Sequence, residues 1–265
     1  MQEETTKIRI GLCGAKGRMC EAVARITRFS QDFEIAFGVD RHTDPAHPYF
    51  PIFDSFDNLP SADVIIDFSS PTLTSLALDY AGENNIPIVF ATTGQPAQNI
   101  RKIHDTALRI PVFFDSNTSY GNCLLLKLAQ VAAEFLDESF DIEIVETHHR
   151  IKSDAPSGTA LCIANALKTA KREGFGEEYT LSYGHDKRRE ERQIGVHSLR
   201  GGTVVGKHEI LFLGDDERIA ISHEVENKNV FAHGALRVAK LLLTVPAGLY
   251  DMNDFSPHID LAPHK

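Results

Sequence analysis

The sequence predicts an α/β fold in its first half and an α+β arrangement in its second. In the first half, short apolar runs alternate with segments of helical length in the order β-α-β-β-α-β-α-β. That order is typical of a parallel sheet with helices on both faces. From residue 121 the pattern changes to long helices and to strands with one polar face. With 265 residues, the chain can form one large domain or two modest ones.

The first half begins with a strand over residues 7–13, which turns apolar as a buried strand does. The next helix, 18–29, places Met19, Val23, Ile26 and Phe29 on one face. A further helix starts at Pro71, where a missing N–H costs nothing. Strands are predicted at 33–40, 62–70, 86–94 and 110–117, and helices at 71–84 and 95–108.

The second half combines three helices with several strands. Residues 192–226 are predicted to form antiparallel strands, with turns at Gly201–Gly202 and Gly214–Asp216. The final helix is predicted to return and pack on the first. The helices are predicted at 122–136, 157–172 and 231–245, and a strand at 140–149.

Charge and composition narrow the class of protein. The formal net charge is −10, which argues against a general nucleic-acid binder but permits a local basic pocket for a small anion. The four cysteines form no CxxC pair, so we expect free thiols in a reducing compartment. Because we find no signal peptide and no membrane-length apolar run, we expect a cytoplasmic protein with no nucleic-acid or membrane partner.

A glycine-rich turn joins the first strand to the first helix. Glycines at 11, 14 and 17 leave backbone N–H groups and a helix N-terminus open to a pyrophosphate, although a tight turn without a ligand is the alternative. Asp40 ends the second strand and could accept hydrogen bonds from ribose hydroxyls. Arg41, with Lys16 and Arg18, could face a 2′-phosphate instead. This mixture predicts that both NADH and NADPH are accepted.

Three later turns lie where ligands bind in such sheets, beyond the carboxyl ends of the strands. They are Asp67–Ser70, Ala91–Gly94 and Ser116–Asn122. Their small side chains suit a nicotinamide and its carboxamide, although the same residue types also serve ordinary turns.

The segment Val145–Leu161, VETHHRIKSDAPSGTAL, concentrates cationic side chains in an acidic protein. A histidine, Lys152 and a helix start at Ser157, Gly158 and Thr159 could together hold a small acid and deliver a proton to it. Ser157 or Thr159 is the candidate N-cap. The alternatives are a solvated lysine and a simple helix cap. No metal site is predicted, because the paired histidines have no third ligand at a recognisable spacing.

That segment closely resembles the signature of the dihydrodipicolinate reductase (4-hydroxy-tetrahydrodipicolinate reductase) family, Glu-x-His-His-x-x-Lys-x-Asp-x-Pro-Ser-Gly-Thr-Ala. The turn GAKGRM, the turn ATTG and the segment SNTSYGN resemble further family motifs, so the resemblance covers nearly the whole chain. It implies a Rossmann-like dinucleotide-binding domain, residues 1–119 and 229–265. A second domain, residues 120–228, would bind substrate and form a homotetramer through an open mixed sheet.

The resemblance also implies an activity and a set of site residues. The activity is hydride transfer from NADH or NADPH to a small cyclic imine dicarboxylate of lysine and diaminopimelate biosynthesis, with loss of a hydroxyl as water. His148 is then the acid/base residue and Lys152 the proton donor, while substrate is held by His149, Ser157, Gly158, Thr159 and Lys228. The cofactor site is implied to comprise Gly14, Ala15, Lys16, Gly17, Arg18, Met19, Asp40, Arg41, Phe68, Ser69, Ala91, Thr92, Thr93, Ser116, Asn117, Thr118 and Ser119.

Three positions depart from the family pattern. Cys20 stands where a third glycine is usual, Ala91 replaces the first glycine of Gly-Thr-Thr-Gly, and Lys228 replaces an arginine. A lysine offers a point charge rather than a bidentate fork, so these changes bear on affinity and cofactor preference. The competing functions are another small NAD(P)-dependent dehydrogenase and an NAD(P)-binding sensor without turnover.

Overall fold

The computed structural model describes residues 6–92, 94–115, 117–184 and 188–255. Within these ranges the chain forms two compact units. The first unit runs to Ser119 and resumes at Lys228, one residue before the predicted return, and the second is Tyr120–Asn227. Thr93, Ser116 and His185 lie outside the described residues.

The first unit is built on a seven-stranded sheet in which every pair of neighbouring strands is parallel, as the alternation of elements predicted. The strands are β1 (Ile8–Cys13), β2 (Phe33–Val39), β3 (Ile52–Phe53), β4 (Val64–Asp67), β5 (Ile88–Phe90), β6 (Pro111–Phe114) and β12 (Gly248–Tyr250). Their order in the sheet is β12-β6-β5-β4-β1-β2-β3. The helices are α1 (Arg18–Thr27), α2 (Pro71–Asn84), α3 (Ala97–Ala107) and α6 (Asn229–Leu242).

Two of these strands, β3 and β12, are absent from the sequence prediction. They contain two and three residues, which is too short for an alternating pattern to be recognised. Two other predictions are confirmed: Pro71 opens α2, and α6 packs against α1. The return of α6 requires Gly234, because a Cβ there would overlap the carbonyl oxygen of Thr118.

The second unit contains a five-stranded mixed sheet. Its strands are β7 (Asp141–His148), β8 (Thr180–Ser182), β9 (Gln193–Arg200), β10 (Gly206–Leu213) and β11 (Arg218–Val225), in the order β11-β10-β7-β9-β8. Strand β10 is antiparallel to both β7 and β11, whereas β9 is parallel to β7 and β8 is parallel to β9. Two helices, α4 (Tyr120–Phe135) and α5 (Gly158–Phe175), complete the unit.

This topology corrects one prediction. Gly201–Gly202 was expected to turn between antiparallel neighbours, but β9 and β10 lie on opposite sides of β7 and do not pair with each other. The other predicted turn, Gly214–Asp216, does join an antiparallel pair, β10 and β11. Alternating residues cannot say which strand lies next to which, because burial of one face is compatible with several strand orders.

The core of the second unit lies between one face of the sheet and the two helices. Ile142 and Ile144 of β7 pack there with Ile194, Ile210 and the apolar face of α5. Glu146 continues the same alternation and is fully buried. The N-cap of α5 is Ser157, one of the two predicted candidates, whose Oγ accepts a hydrogen bond from the N–H of Ala160. No helix in the described part of the chain is long and apolar enough to cross a membrane.

Candidate active site

The glycine-rich turn after β1 lines a cavity of about 530 Å³ in the first unit. Gly14 adopts φ = +80°, and a Cβ there would lie 2.8 Å from the Cα of Ser69. A Cβ at Gly17 would lie 3.0 Å from the carbonyl oxygen of Gly14. At position 14 the turn after β1 therefore approaches the backbone of the turn after β4 too closely for a side chain. The cradle of backbone N–H groups that these two turns form requires glycine at this position. This arrangement fits a dinucleotide pyrophosphate.

Two acids and one arginine line the same cavity. The carboxylate of Asp40 is held by the N–H groups of Lys16 and Arg41, at 2.9 and 2.8 Å. Asp54 lies beside it, because Val39 and Phe53, which precede the two acids, are paired in parallel register. Among the described residues no cation forms a salt bridge with Asp54. Two carboxylates at the ribose end suit hydroxyl groups better than a 2′-phosphate.

A buried carboxylate holds the turn that closes the other side of the cavity. Asp67, at the end of β4, accepts hydrogen bonds from the N–H of Ser69 at 2.8 Å and the hydroxyl of Thr74 at 2.6 Å. Burial raises the pKa of Asp67, and these hydrogen bonds oppose that shift. Thr92 donates to the carbonyl of Asp67, so the turns after β4 and β5 are joined.

Some of the predicted cofactor residues line the cavity, and others do not. Its lining includes the predicted Gly14, Gly17, Asp40, Arg41, Phe68 and Ser69. Also lining it, but not predicted, are Asp54, Ser70, Thr72, Leu73 and Leu76. The predicted residues outside this lining are Ala15, Lys16, Arg18, Met19, Ala91, Thr92, Asn117, Thr118 and Ser119. Of these, Thr118 donates its hydroxyl to the carbonyl of Phe231 and so anchors α6.

In the second unit, the side chain of Glu146 is the centre of a buried hydrogen-bonded group. Its two carboxylate oxygens accept a bidentate pair of bonds from Arg200, at 2.7 and 2.9 Å. The Nδ1 of His148 donates to one oxygen at 2.5 Å, and the N–H of Ser157 donates to the other at 3.1 Å. Three segments, β7, β9 and the start of α5, therefore meet on one carboxylate.

The charge state of this group follows from its contacts. Burial alone would raise the pKa of Glu146, but hydrogen bonds from Arg200, Ser198 and His148 lower it to about 2. Burial lowers the pKa of His148, against the opposing effect of Glu146. His208, whose ring meets that of His148 edge to face at 5.3 Å, has its pKa lowered to about 4, mainly by burial. At neutral pH the carboxylate is ionised and both imidazoles are neutral.

The loop after β7 carries the remaining predicted groups. Lys152 forms an ion pair with Asp154, with Nζ at 2.8 Å from both carboxylate oxygens. The Nδ1 of His149 is buried and has no hydrogen-bond partner among the described residues. A Cβ at Gly158, the first residue of α5, would meet nothing within 4 Å. A buried polar atom, a lysine and an open helix N-terminus suit a carboxylate ligand.

Lys228, the other predicted substrate residue, is exposed, stands at the start of α6 and belongs to the first unit. The residues that the sequence prediction missed are Glu146, Asp154, Ser198, Arg200 and His208. For Glu146 a signal exists: it occupies a buried position of a strand, where a carboxylate needs partners. No cluster of metal ligands occurs within the described ranges.

Comparison with known proteins places both units in one family. A family model described as the N-terminus of dihydrodipicolinate reductase matches residues 8–118, and its C-terminal counterpart matches 121–255. A 4-hydroxy-tetrahydrodipicolinate reductase from Caldanaerobacter subterraneus is 40% identical over 251 residues, covering 93% of this chain and 97% of the relative. The enzyme of the same name from Rickettsia rickettsii is 40% identical over 249 residues, covering 93% and 98%.

Solved structures show the same fold. A dipicolinate-bound dihydrodipicolinate reductase from Paenisporosarcina sp. TG-14 superposes with a TM-score of 0.78 at 24% identity, covering 94% of this chain and 99% of that one. A myo-inositol dehydrogenase from Corynebacterium glutamicum superposes less well, with a TM-score of 0.59 at 16% identity, covering 92% and 90%.

Proposed function

Because this chain belongs to the dihydrodipicolinate reductase family, we propose that it reduces 4-hydroxy-tetrahydrodipicolinate to tetrahydrodipicolinate with NADH or NADPH. The observation that carries the proposal is the site in the second unit, where proton-carrying side chains adjoin an open helix start. The same chain carries a cavity of dinucleotide character in its first unit. Overall, the substrate gains a hydride from the nucleotide and one proton, and it loses its hydroxyl together with one of its own hydrogens as water.

The two units divide the task. The first unit binds the nucleotide, which supplies the hydride when bound, with its pyrophosphate on the glycine turn and its ribose facing Asp40. The second unit binds the dicarboxylate substrate. His149, Gly158 and Thr159 hold its carboxylates, at the imidazole of His149 and at the N-terminus of α5. The assembly expected from the family resemblance is a homotetramer, which light scattering would measure.

Proton transfer falls to His148 and Lys152. His148 is neutral at pH 7 and can accept or relay a proton. Lys152 is held by Asp154, so a substrate carboxylate must compete with that acid for the ammonium group. When the substrate carboxylate has displaced Asp154, the ammonium group of Lys152 lies beside the bound anion and can donate a proton to the substrate. The assignment of these roles is part of the proposal.

The test is an NAD(P)H oxidation assay coupled to a synthase that makes the substrate from pyruvate and aspartate semialdehyde. We expect substrate-dependent loss of absorbance at 340 nm with at least one cofactor; none in well-folded protein would refute the proposal. Lys152→Ala should lower kcat by roughly 100-fold while nucleotide binding survives. Lys168→Ala serves as the matched control, because Lys168 lies on α5 and outside the loop that carries Lys152.

The same experiments separate the competing functions. A sensor without turnover would bind nucleotide in both variants and oxidise none of it. Another dehydrogenase would turn over with a different substrate, and loss of Lys152 would then leave its activity within a few-fold of the Lys168→Ala control.

A further inference from the structure

We propose that Glu146 is a positioning residue of this reductase: it fixes the imidazole of His148 with hydrogen on Nδ1 and presents Nε2 for proton transfer. Together with Arg200 it also holds the loop that carries Lys152. This inference rests on the proposed function, and it concerns a carboxylate that itself needs no contact with substrate or cofactor.

The tautomer of His148 follows from its partner. An ionised carboxylate can only accept hydrogen bonds, and Nδ1 lies 2.5 Å from an oxygen of Glu146. Nδ1 must therefore carry the hydrogen. In a neutral imidazole the other nitrogen, Nε2, then has a free lone pair.

A glycine on β10 lies beside the Nε2 edge of the His148 ring. At Gly206 a Cβ would lie 3.1 Å from Nε2 and 3.4 Å from Cδ2. A glycine at this position leaves the ring edge uncrowded. His208, the other histidine of the group, is tied to the hydroxyl of Ser157 at 3.1 Å and is therefore already engaged.

Glu146 also reaches the second proton-carrying group. Arg200, which forms the bidentate pair with Glu146, donates as well to the carbonyl oxygen of Asp154 at 2.7 Å. Asp154 in turn holds the ammonium group of Lys152. A chain of hydrogen bonds thus runs from Glu146 through Arg200 and Asp154 to Lys152. The N–H of Ser157 connects the same carboxylate to the anion-binding start of α5.

The charged and titratable groups around Glu146 and His148 come from every neighbouring element. They are Arg200 on β9, His208 on β10, and Lys152 and Asp154 on the loop after β7. Burial lowers the pKa of His148, and Lys152 and Arg200 lower it further, whereas Glu146 raises it. Removing the negative charge of Glu146 should therefore make His148 harder to protonate.

The matched control lies on the opposite face of the same strand. Glu143 contacts Arg189 and accepts a hydrogen bond from the Nε2 of His197 at 2.6 Å. Glu143→Gln thus breaks a Glu–His–Arg group of the same composition outside the proposed site. Comparing Glu146→Gln with Glu143→Gln separates a positioning role from the general cost of losing a carboxylate in this sheet.

Three measurements test the inference. Long-range 15N NMR of histidine-labelled protein, with the His148 resonance assigned by its loss in His148→Gln, should show the Nδ1–H tautomer in the wild type. In Glu146→Gln it should show the Nε2–H tautomer, because an amide N–H facing Nδ1 requires an acceptor there. We expect kcat of Glu146→Gln to fall by roughly 10- to 1000-fold. The limb of its pH profile that reports His148 should move to lower pH, while nucleotide affinity is unchanged.

Two results would overturn the inference. One is an Nε2–H tautomer in the wild-type protein, which is measured without Glu146→Gln and so decides the question even if that variant does not fold. The other is a kcat of Glu146→Gln within twofold of Glu143→Gln, with the same pH profile. The NMR readout requires no turnover, so a failed reductase assay and a failed positioning role are distinguishable.

Discussion

Replacing Gly14 by alanine should damage both the stability of the first unit and its affinity for nucleotide. Gly14 adopts φ = +80°, a left-handed conformation that costs an L-residue about 1–2 kcal/mol. The added Cβ would also lie 2.8 Å from the Cα of Ser69 and 3.2 Å from the carbonyl oxygen of Phe68. Because these atoms belong to backbone, relief requires the two turns to separate, at a further cost of about 1–3 kcal/mol. The expected loss is therefore about 2–5 kcal/mol.

Gly94 in the same unit provides the control. It adopts φ = +72°, but a Cβ there would meet nothing within 4 Å. Gly94→Ala should lose only the conformational part, about 1–2 kcal/mol. The unfolding free energies of the two variants would be compared by urea titration followed by circular dichroism. Equal losses of unfolding free energy in the two variants would show that the contact between position 14 and the turn after β4 does not contribute to stability.

Nucleotide affinity gives the second measurement. If the turns after β1 and β4 separate, the N–H groups of the cradle no longer converge on the pyrophosphate. We expect the Kd for NADH, measured by fluorescence titration, to rise at least about tenfold in Gly14→Ala, as the loss of one or two charge-assisted hydrogen bonds implies. A Kd within twofold of wild type would refute the assignment of this turn to the cofactor.

Three further predictions concern charged side chains. Asp54→Asn removes one of two carboxylates beside Arg41, so the ratio of kcat/KM for NADPH to that for NADH should rise about two- to tenfold; an unchanged ratio would exclude Asp54 as a determinant. Since the pKa of Glu146 is lowered from 4.5 to about 2, its stabilising contribution is present above pH 4.5 and is lost as the pH falls toward 2. Wild type should lose about 3 kcal/mol more over that range than Glu146→Gln, measured by urea unfolding, and parallel pH curves would contradict this. The ammonium group of buried Lys171 donates to the carbonyl oxygens of Leu136 and Asp137, so Lys171→Met should cost about 1–3 kcal/mol in a thermal unfolding experiment; a variant as stable as wild type would show that these carbonyls need no partner.

Much of the fold was predictable from local patterns. In the first half, the hydrophobic periodicity of the strands and helices predicted a parallel sheet with helices on both faces. The seven-stranded parallel sheet confirms that prediction. Pro71 predicted the start of α2, and Ser157 was one of two candidates for the cap of α5. These are properties of neighbouring residues, which a linear pattern records directly.

The family was also predictable, because the segment from Glu146 to Ala160 carries a long uninterrupted pattern. The segment does not reveal which of its residues meet. His148 and Glu146 are two residues apart and hydrogen-bonded, as a strand allows for residues on one face. Their partner Arg200 is 54 residues away and is brought to Glu146 only by the parallel pairing of β7 with β9.

The sequence by itself determined the two architectures, the glycine turn and the family, and it predicted a histidine and a lysine as the proton-carrying residues. Only the tertiary structure decided that β7 lies between β9 and β10, that Asp54 joins Asp40 beside the cofactor cavity, and that Arg200 and His208 surround Glu146 and His148. The physical reason is that periodicity reports which face of an element is buried, whereas strand order and long-range hydrogen bonds depend on which elements become neighbours. The sequence can indicate that a buried carboxylate needs a hydrogen-bonding partner, but only the tertiary structure shows which residue that partner is.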